Sequence, residues 1–319
     1  MITKVKKDRS EKMNLGYACI NMTLDDITPR RRTTVSYLKK LDQQAKLDKL
    51  NSLLNNNLTA TLKILKFNQR HKIKLYRLTS DLVPFATHEI IKDWDYLKEA
   101  KDKLKLIGNY IKANNHRVSM HPGQYTVLNS DKDKVVANAI ADLRYHNQIL
   151  EAMNLDNQAK IILHIGGVYG DKKSAIKRFK DNFAKLDSAI KNRLVIENDD
   201  TSYQSSEVLA IAKDLEIPMI FDLHHFNCNH NQDERIKDLL PEIFATWESK
   251  PKIHFSSPAS EKKYKSHAPY INSKDFDKFI NLAYRLGLKD FDVMLECKEK
   301  DKAVFKLRKE SEFLKKAGD

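Results

Sequence analysis

Eight short runs of apolar and β-branched residues recur along the chain, and a polar cluster closes each of them. They are Leu15 to Asn21, Lys74 to Ser80, Arg117 to His121, Lys160 to Gly166, Arg193 to Asn198, Pro218 to Leu223, Lys252 to Ser257 and Asp292 to Cys297. Each has the length of a strand, and near-continuous apolar runs are what parallel strands buried on both faces require. Between them, helical spacing of apolar positions marks Leu38 to Ile64, Tyr96 to Ile111, Val135 to Met153, Ala175 to Ile190 and Phe276 to Leu286. Strands alternating with helices predict an α/β protein with a parallel sheet. A doubly wound open sheet and a (β/α)8 TIM barrel both use such units. The polar clusters separate them, because seven of the eight runs carry His, Asp or Glu at or just past the carboxyl end. A barrel collects functional groups at nearly every strand end on one face, whereas an open sheet concentrates them at one switch point. The expectation is a single-domain TIM barrel over 14–319 preceded by a basic leader at 1–13.

Composition narrows the partners. The 319 residues carry 57 Lys+Arg against 43 Asp+Glu, a formal charge of +14, which favours a polyanionic partner. With 41% hydrophobic and 31% charged residues the chain is too apolar to be disordered. No run reaches the roughly 18 apolar residues of a spanning helix, and MITKVKKDRS lacks the apolar centre of a signal peptide. Cys19, Cys228 and Cys297 are too few and too scattered for a disulfide framework, which implies a reducing, intracellular setting.

The strand-end groups in chain order are His88, His121, His164, Glu197, Asp222, His225, His254, His267 and Glu296. Imidazoles and carboxylates suit Mn²⁺, Zn²⁺ or Fe²⁺, and no cysteine pair has zinc-finger spacing. Gathered at one barrel mouth, they would repel and desolvate one another unless cations offset them. Nine donors exceed one tetrahedral ion and suit two or three ions sharing bridging carboxylates, a device for phosphate ester hydrolysis.

These residues sit in segments that resemble the ultraviolet damage endonuclease family. They are LGYACIN (15–21), RLTSDLVPFATH (77–88), SMHPGQYTVLNS (119–130), LHIGG (163–167), VIENDD (195–200), MIFDLHH (219–225), KIHFSSP (252–258), SHAPYI (266–271) and VMLECKEKDKAVFKL (293–307). The resemblance implies a TIM barrel holding three divalent ions, taken as Mn²⁺, that nicks DNA immediately 5′ to cyclobutane pyrimidine dimers and 6-4 photoproducts. It implies the nine strand-end groups as metal ligands, with Glu197, His164 and Lys252 carrying catalysis and Lys252 carboxylated. In related three-metal apurinic-site endonucleases an aspartate stands at the position of Lys252, and a carbamate would restore that negative oxygen donor. Gln124 and Tyr125 match a pair that enters the duplex at the lesion, and Tyr17 and Asn21 match residues of the lesion pocket. Damaged double-stranded DNA is then the partner of a cytoplasmic, nucleoid-associated monomer without an organic cofactor. Arg30 to Arg32, Arg77, Lys172, Lys173 and Lys262 to Lys265 are candidate phosphate contacts. An apurinic-site endonuclease of the same fold, a two-metal sugar isomerase-like barrel and a non-catalytic DNA-binding scaffold remain alternatives.

Overall fold

A computed structural model describes residues 13–316, so the expected leader falls, but for Met13, outside the described residues. Eight parallel strands form the sheet: β1 (Leu15–Ala18), β2 (Leu75–Leu78), β3 (Arg117–Met120), β4 (Lys160–His164), β5 (Leu194–Glu197), β6 (Met219–Ile220), β7 (Lys252–Phe255) and β8 (Asp292–Leu295). Their order is β6-β5-β4-β3-β2-β1-β8-β7. A parallel bridge from Asp222 to His254, with the His254 amide donating to Phe221 at 3.0 Å, joins the two outer strands. The sheet thus closes into the expected (β/α)8 barrel.

Every strand is shorter than its apolar run, for local reasons. β1 stops where Cys19 takes a left-handed conformation (φ 68°). β6 stops because Asp222 caps the helix Leu223–Cys228, accepting from the His225 amide at 2.8 Å. The segment expected as one helix from Ala175 to Ile190 is two, Lys172–Ala184 and Ser188–Lys191. The first connection folds into a 28-residue helix, Gln43–Arg70, entered through an Asp42 cap rather than at Leu38. Asn57 on that helix is fully buried and holds the Arg31 backbone, so part of the arginine cluster is built into the structure.

The barrel interior is unusually ionic at its amino-terminal end. Arg117 pairs with Asp292 at 2.9 Å, donates to the Pro251 and Lys250 carbonyls, and lies 5.6 Å over the Trp247 ring. Lys250 reaches the same Asp292 at 3.2 Å. Above them the Lys252 amine crosses from β7 to Ser119 on β3 at 2.9 Å. Apolar layers flank this column: Ile162, Val195, Ile220 and Trp247 on one side, Ala18, Leu75 and Met294 on the other. An unpaired buried charge costs far more than a paired one, so Arg117 and Lys250 share Asp292 as their partner inside the barrel.

Two features give direct tests. A Cβ built on Gly108, in the helix Tyr96–Ala113, would lie 1.7 Å from the Met153 carbonyl oxygen. Gly108→Ala should therefore destabilise the fold by about 1–3 kcal/mol in urea unfolding, since backbone must move to admit the methyl group. His116 is buried with neither ring nitrogen hydrogen-bonded, and burial followed by the Lys74 charge pushes its pKa down to about 4. The unfolded chain binds that proton near pH ~6.5 and the folded chain does not, so stability falls as pH drops from there towards about 4. His116→Leu should flatten that fall when unfolding is measured across the window.

Candidate metal centre at the barrel mouth

Glu197 ends β5 with its carboxylate 1% exposed, and imidazoles from other strands converge on it. His254 Nδ1 lies 2.5 Å from Oε1, while His121 Nε2 and His164 Nε2 lie 3.2 and 3.7 Å from Oε2. His225 Nδ1 is 4.0 Å from both Glu197 and Asp222. Two sets of donors, His121–His164–Glu197 and Glu197–Asp222–His254, each place one atom per residue within 4.8 Å of the others. Glu197 belongs to both and is the carboxylate they share.

Neighbouring groups fix the orientation of these donors. His121 Nδ1 bonds the Pro122 carbonyl at 3.0 Å, which turns its Nε2 to Glu197, and His225 Nδ1 bonds the Asn198 carbonyl at 2.9 Å. Asn198 also clamps the Asp222 backbone, donating to its carbonyl at 3.0 Å and accepting its amide at 2.9 Å. No motif singled out Asn198; its only sequence signal is its place directly after Glu197. Meanwhile His164 Nδ1, His254 Nε2 and Asp222 Oδ2 are buried without a hydrogen-bond partner. Unpartnered donors and acceptors around a carboxylate are what a cation-binding site requires, so the residues present fit divalent metal.

The electrostatics agree. Burial alone would raise the Glu197 pKa, but His254, His164 and His121 hold it well below the usual carboxylate range. Glu296 is likewise held down against burial, chiefly by the Arg77 guanidinium. Burial opposes charging of His225, yet Asp222, Glu197 and Glu296 prevail and lift it to about 9. For His121, burial wins and its pKa falls to about 4. The mouth is thus a nest of ionised carboxylates beside neutral and charged imidazoles.

The remaining sequence candidates take different places. Glu296 joins the group through His254 Nδ1 at 3.1 Å. Arg77, expected among the phosphate contacts, is instead buried and paired with Glu296; the β2 alternation turns it into the barrel. His267 stands beside the group, its ring 6.4 Å from that of His225. His88 is exposed, accepts the Ile90 amide at 3.0 Å and packs against Phe85, apart from both donor sets. Gln124 is exposed and Tyr125 is 83% exposed on the loop after β3. Tyr17 and Asn21 are buried: the Tyr17 hydroxyl donates to Asn68 at 2.7 Å and accepts from Asn21 at 2.8 Å. Lys172 is paired with Glu207, and Arg32 approaches Asp81 at 3.9 Å. Replacing Glu197 by Ala should remove the shared ligand of both donor sets. Elemental analysis of protein purified without chelator should then show fewer bound divalent ions than wild type.

Comparison with known proteins places this arrangement. The model of the family described as UV-endonuclease UvdE matches residues 13–317. The UV DNA damage endonuclease of Bacillus cereus strain G9842 is 41% identical over 298 residues, 92% of this chain and 93% of that protein. Its counterpart in Bacillus thuringiensis subsp. konkukian is 40% identical over 301 residues, covering 93% and 94%. The crystal structure of SacUVDE superposes with a TM-score of 0.85 at 34% identity, over 96% of this chain and 99% of that one. Endonuclease IV from Thermus thermophilus shares the fold at a TM-score of 0.55 and 12% identity, over 81% of this chain and 93% of that one. Whole-length agreement in sequence and in barrel geometry leaves one assignment: the chain belongs to the UV-endonuclease UvdE family.

Proposed function

We propose that this protein is a DNA repair endonuclease that hydrolyses the phosphodiester immediately 5′ to ultraviolet photoproducts. The reading is carried by the convergence of His121, His164, Glu197, Asp222 and His254 at the mouth of a barrel that matches the family over its described length. Three divalent ions, Mn²⁺ in this reading, would be held by those residues together with His225, His267 and Glu296, and His88 would have to swing in from its exposed loop to join them. When bound, such ions activate water and stabilise the leaving oxygen.

The chain's own groups set the rest of the reaction. Glu197 and His164 hold the centre, and Asn198 and Pro122 carbonyls keep the His225 and His121 rings turned towards it. Lys252 is buried under the group, and burial with the Arg117 and Arg77 charges pushes its amine well below the usual lysine range. A neutral amine is the form that adds carbon dioxide, which supports its carboxylation and its role as an anionic donor. In this reading Gln124 and Tyr125 fill the space left when a crosslinked dinucleotide is drawn from the stack, a role that their exposure on the loop after β3 supports. Tyr17 and Asn21 belong to the lesion pocket in this reading, fixed to each other by their shared hydrogen bond.

The deciding assay compares nicking of an irradiated duplex, an undamaged duplex and an abasic duplex in Mn²⁺. Cleavage 5′ to the dimer with an extendable 3′-hydroxyl is expected. Preference for the abasic duplex would transfer the protein to the apurinic-site reading. Glu197→Ala and His164→Ala should lose at least about 100-fold in rate, in line with removing a group that stabilises the transition state directly, while still binding the damaged duplex.

A further inference from the structure

The loop after β7 stands out on the same face. Its two stems are pinned to each other by the Pro258–His267 bridge, with the Ala259 amide donating to Ser266 at 2.7 Å and the Ala268 amide to Ser257 at 2.8 Å. A short 3₁₀ turn, Glu261–Lys263, forms its tip. From outside, the Lys265 ammonium ties it to the Asp200 carbonyl and the Thr201 hydroxyl, both at 2.7 Å. From beneath, buried His224 bonds the Lys265 carbonyl through Nε2 at 3.2 Å. His224 also stacks on Tyr264 with ring centroids 5.9 Å apart and meets His267 edge-on at 5.2 Å.

Such anchoring leaves a defined outer surface. Lys262 and Lys263 are exposed and, among the described residues, neither lies within ion-pair distance of a carboxylate. Glu261 is the acidic residue on the same tip, and Asp200 is engaged by Lys265. The Tyr264 ring is backed by His224 on one side yet 43% exposed. An aromatic beside two free lysines on a braced loop offers charge for phosphates and a flat face for a sugar or base.

Position makes the partner specific. Strands four apart in an eight-stranded barrel face each other across the axis, so the β7 loop lies opposite the β3 loop that carries Gln124 and Tyr125, with the metal-binding group between them. We propose that the loop Ser260–Ser266 is a second duplex-binding element, gripping the DNA arm across the metal centre from the Gln124–Tyr125 loop. Lys262 and Lys263 contact phosphates, and Tyr264 packs against a nucleotide of that arm. This proposal rests on the endonuclease reading above.

The test measures binding of photoproduct-containing and undamaged duplexes by fluorescence anisotropy over a range of salt. The proteins are wild type, the double variant Lys262→Gln/Lys263→Gln, Tyr264→Leu and Tyr264→Phe. The double variant should weaken binding to both duplexes alike and make the log–log salt slope shallower by about two, one for each lost phosphate contact. Tyr264→Leu should weaken binding by about tenfold, and Tyr264→Phe, which keeps the ring, should stay near wild type. Wild-type affinity and slope in every variant, with a wild-type protein that still nicks irradiated DNA, would overturn the loop's role and leave the endonuclease reading standing. Loss of bound metal together with loss of DNA affinity would assign the loop to supporting His267 and also overturn the proposal. A wild-type protein that neither binds nor nicks irradiated duplex would remove the endonuclease reading itself.

Discussion

A single buried carboxylate governs this molecule. Glu197 is almost wholly withdrawn from water yet held ionised, and His121, His164, His225 and His254 all approach it. Burying a carboxylate is tolerated only when opposite charge or hydrogen-bond donors compensate for the lost hydration. Imidazoles from β4 and β7, and from the segments after β3 and β6, are brought to the end of β5 for that purpose. Barrel closure between β6 and β7 is itself part of the arrangement, because its bridge joins Asp222 to His254.

The same requirement runs down the barrel axis. Arg77 answers Glu296, Lys252 reaches Ser119, and Arg117 with Lys250 answers Asp292. Branched aliphatic side chains commonly fill these positions in such barrels, so this interior gives up hydrophobic burial for charge. The Arg77 guanidinium helps keep Glu296 ionised and oriented. The column links the amino-terminal floor of the barrel to the chemistry at its mouth.

The rim divides into two arms around this centre. The β3 loop presents Gln124 and Tyr125, while the β7 loop is braced by His224, Lys265 and its own stems. The basic excess of the whole chain is a weak indicator by itself, since Lys172, Arg32 and Arg77 are engaged with carboxylates. What counts for a polyanion is the subset left free beside exposed aromatic rings.

Eight apolar runs with acidic or imidazole ends were enough to read a TIM barrel and its functional face, because strand burial and the strand-end rule act locally on sequence. His121, His164, Glu197, Asp222 and His254 were legible for the same reason, since each lies on its strand or within two residues of its end, whereas His88 and His267 sit far out on loops. The finer outcome was not legible. Arg77 and Lys262 are both basic candidates for phosphate contact, yet one is turned into the barrel by strand alternation and the other stands free on a loop. Tyr17 and Tyr125 are both tyrosines near strand ends, but one hydroxyl is satisfied by Asn68 and Asn21 while the other ring faces solvent. Asn198 became important only when the pairing of β5 with β6 placed its carbonyl beside His225. Sequence therefore determined the architecture and the chemical inventory, which depend on periodicity and residue type. Tertiary structure decided which members of that inventory meet, because contacts between residues over a hundred positions apart follow from the curvature and closure of the sheet.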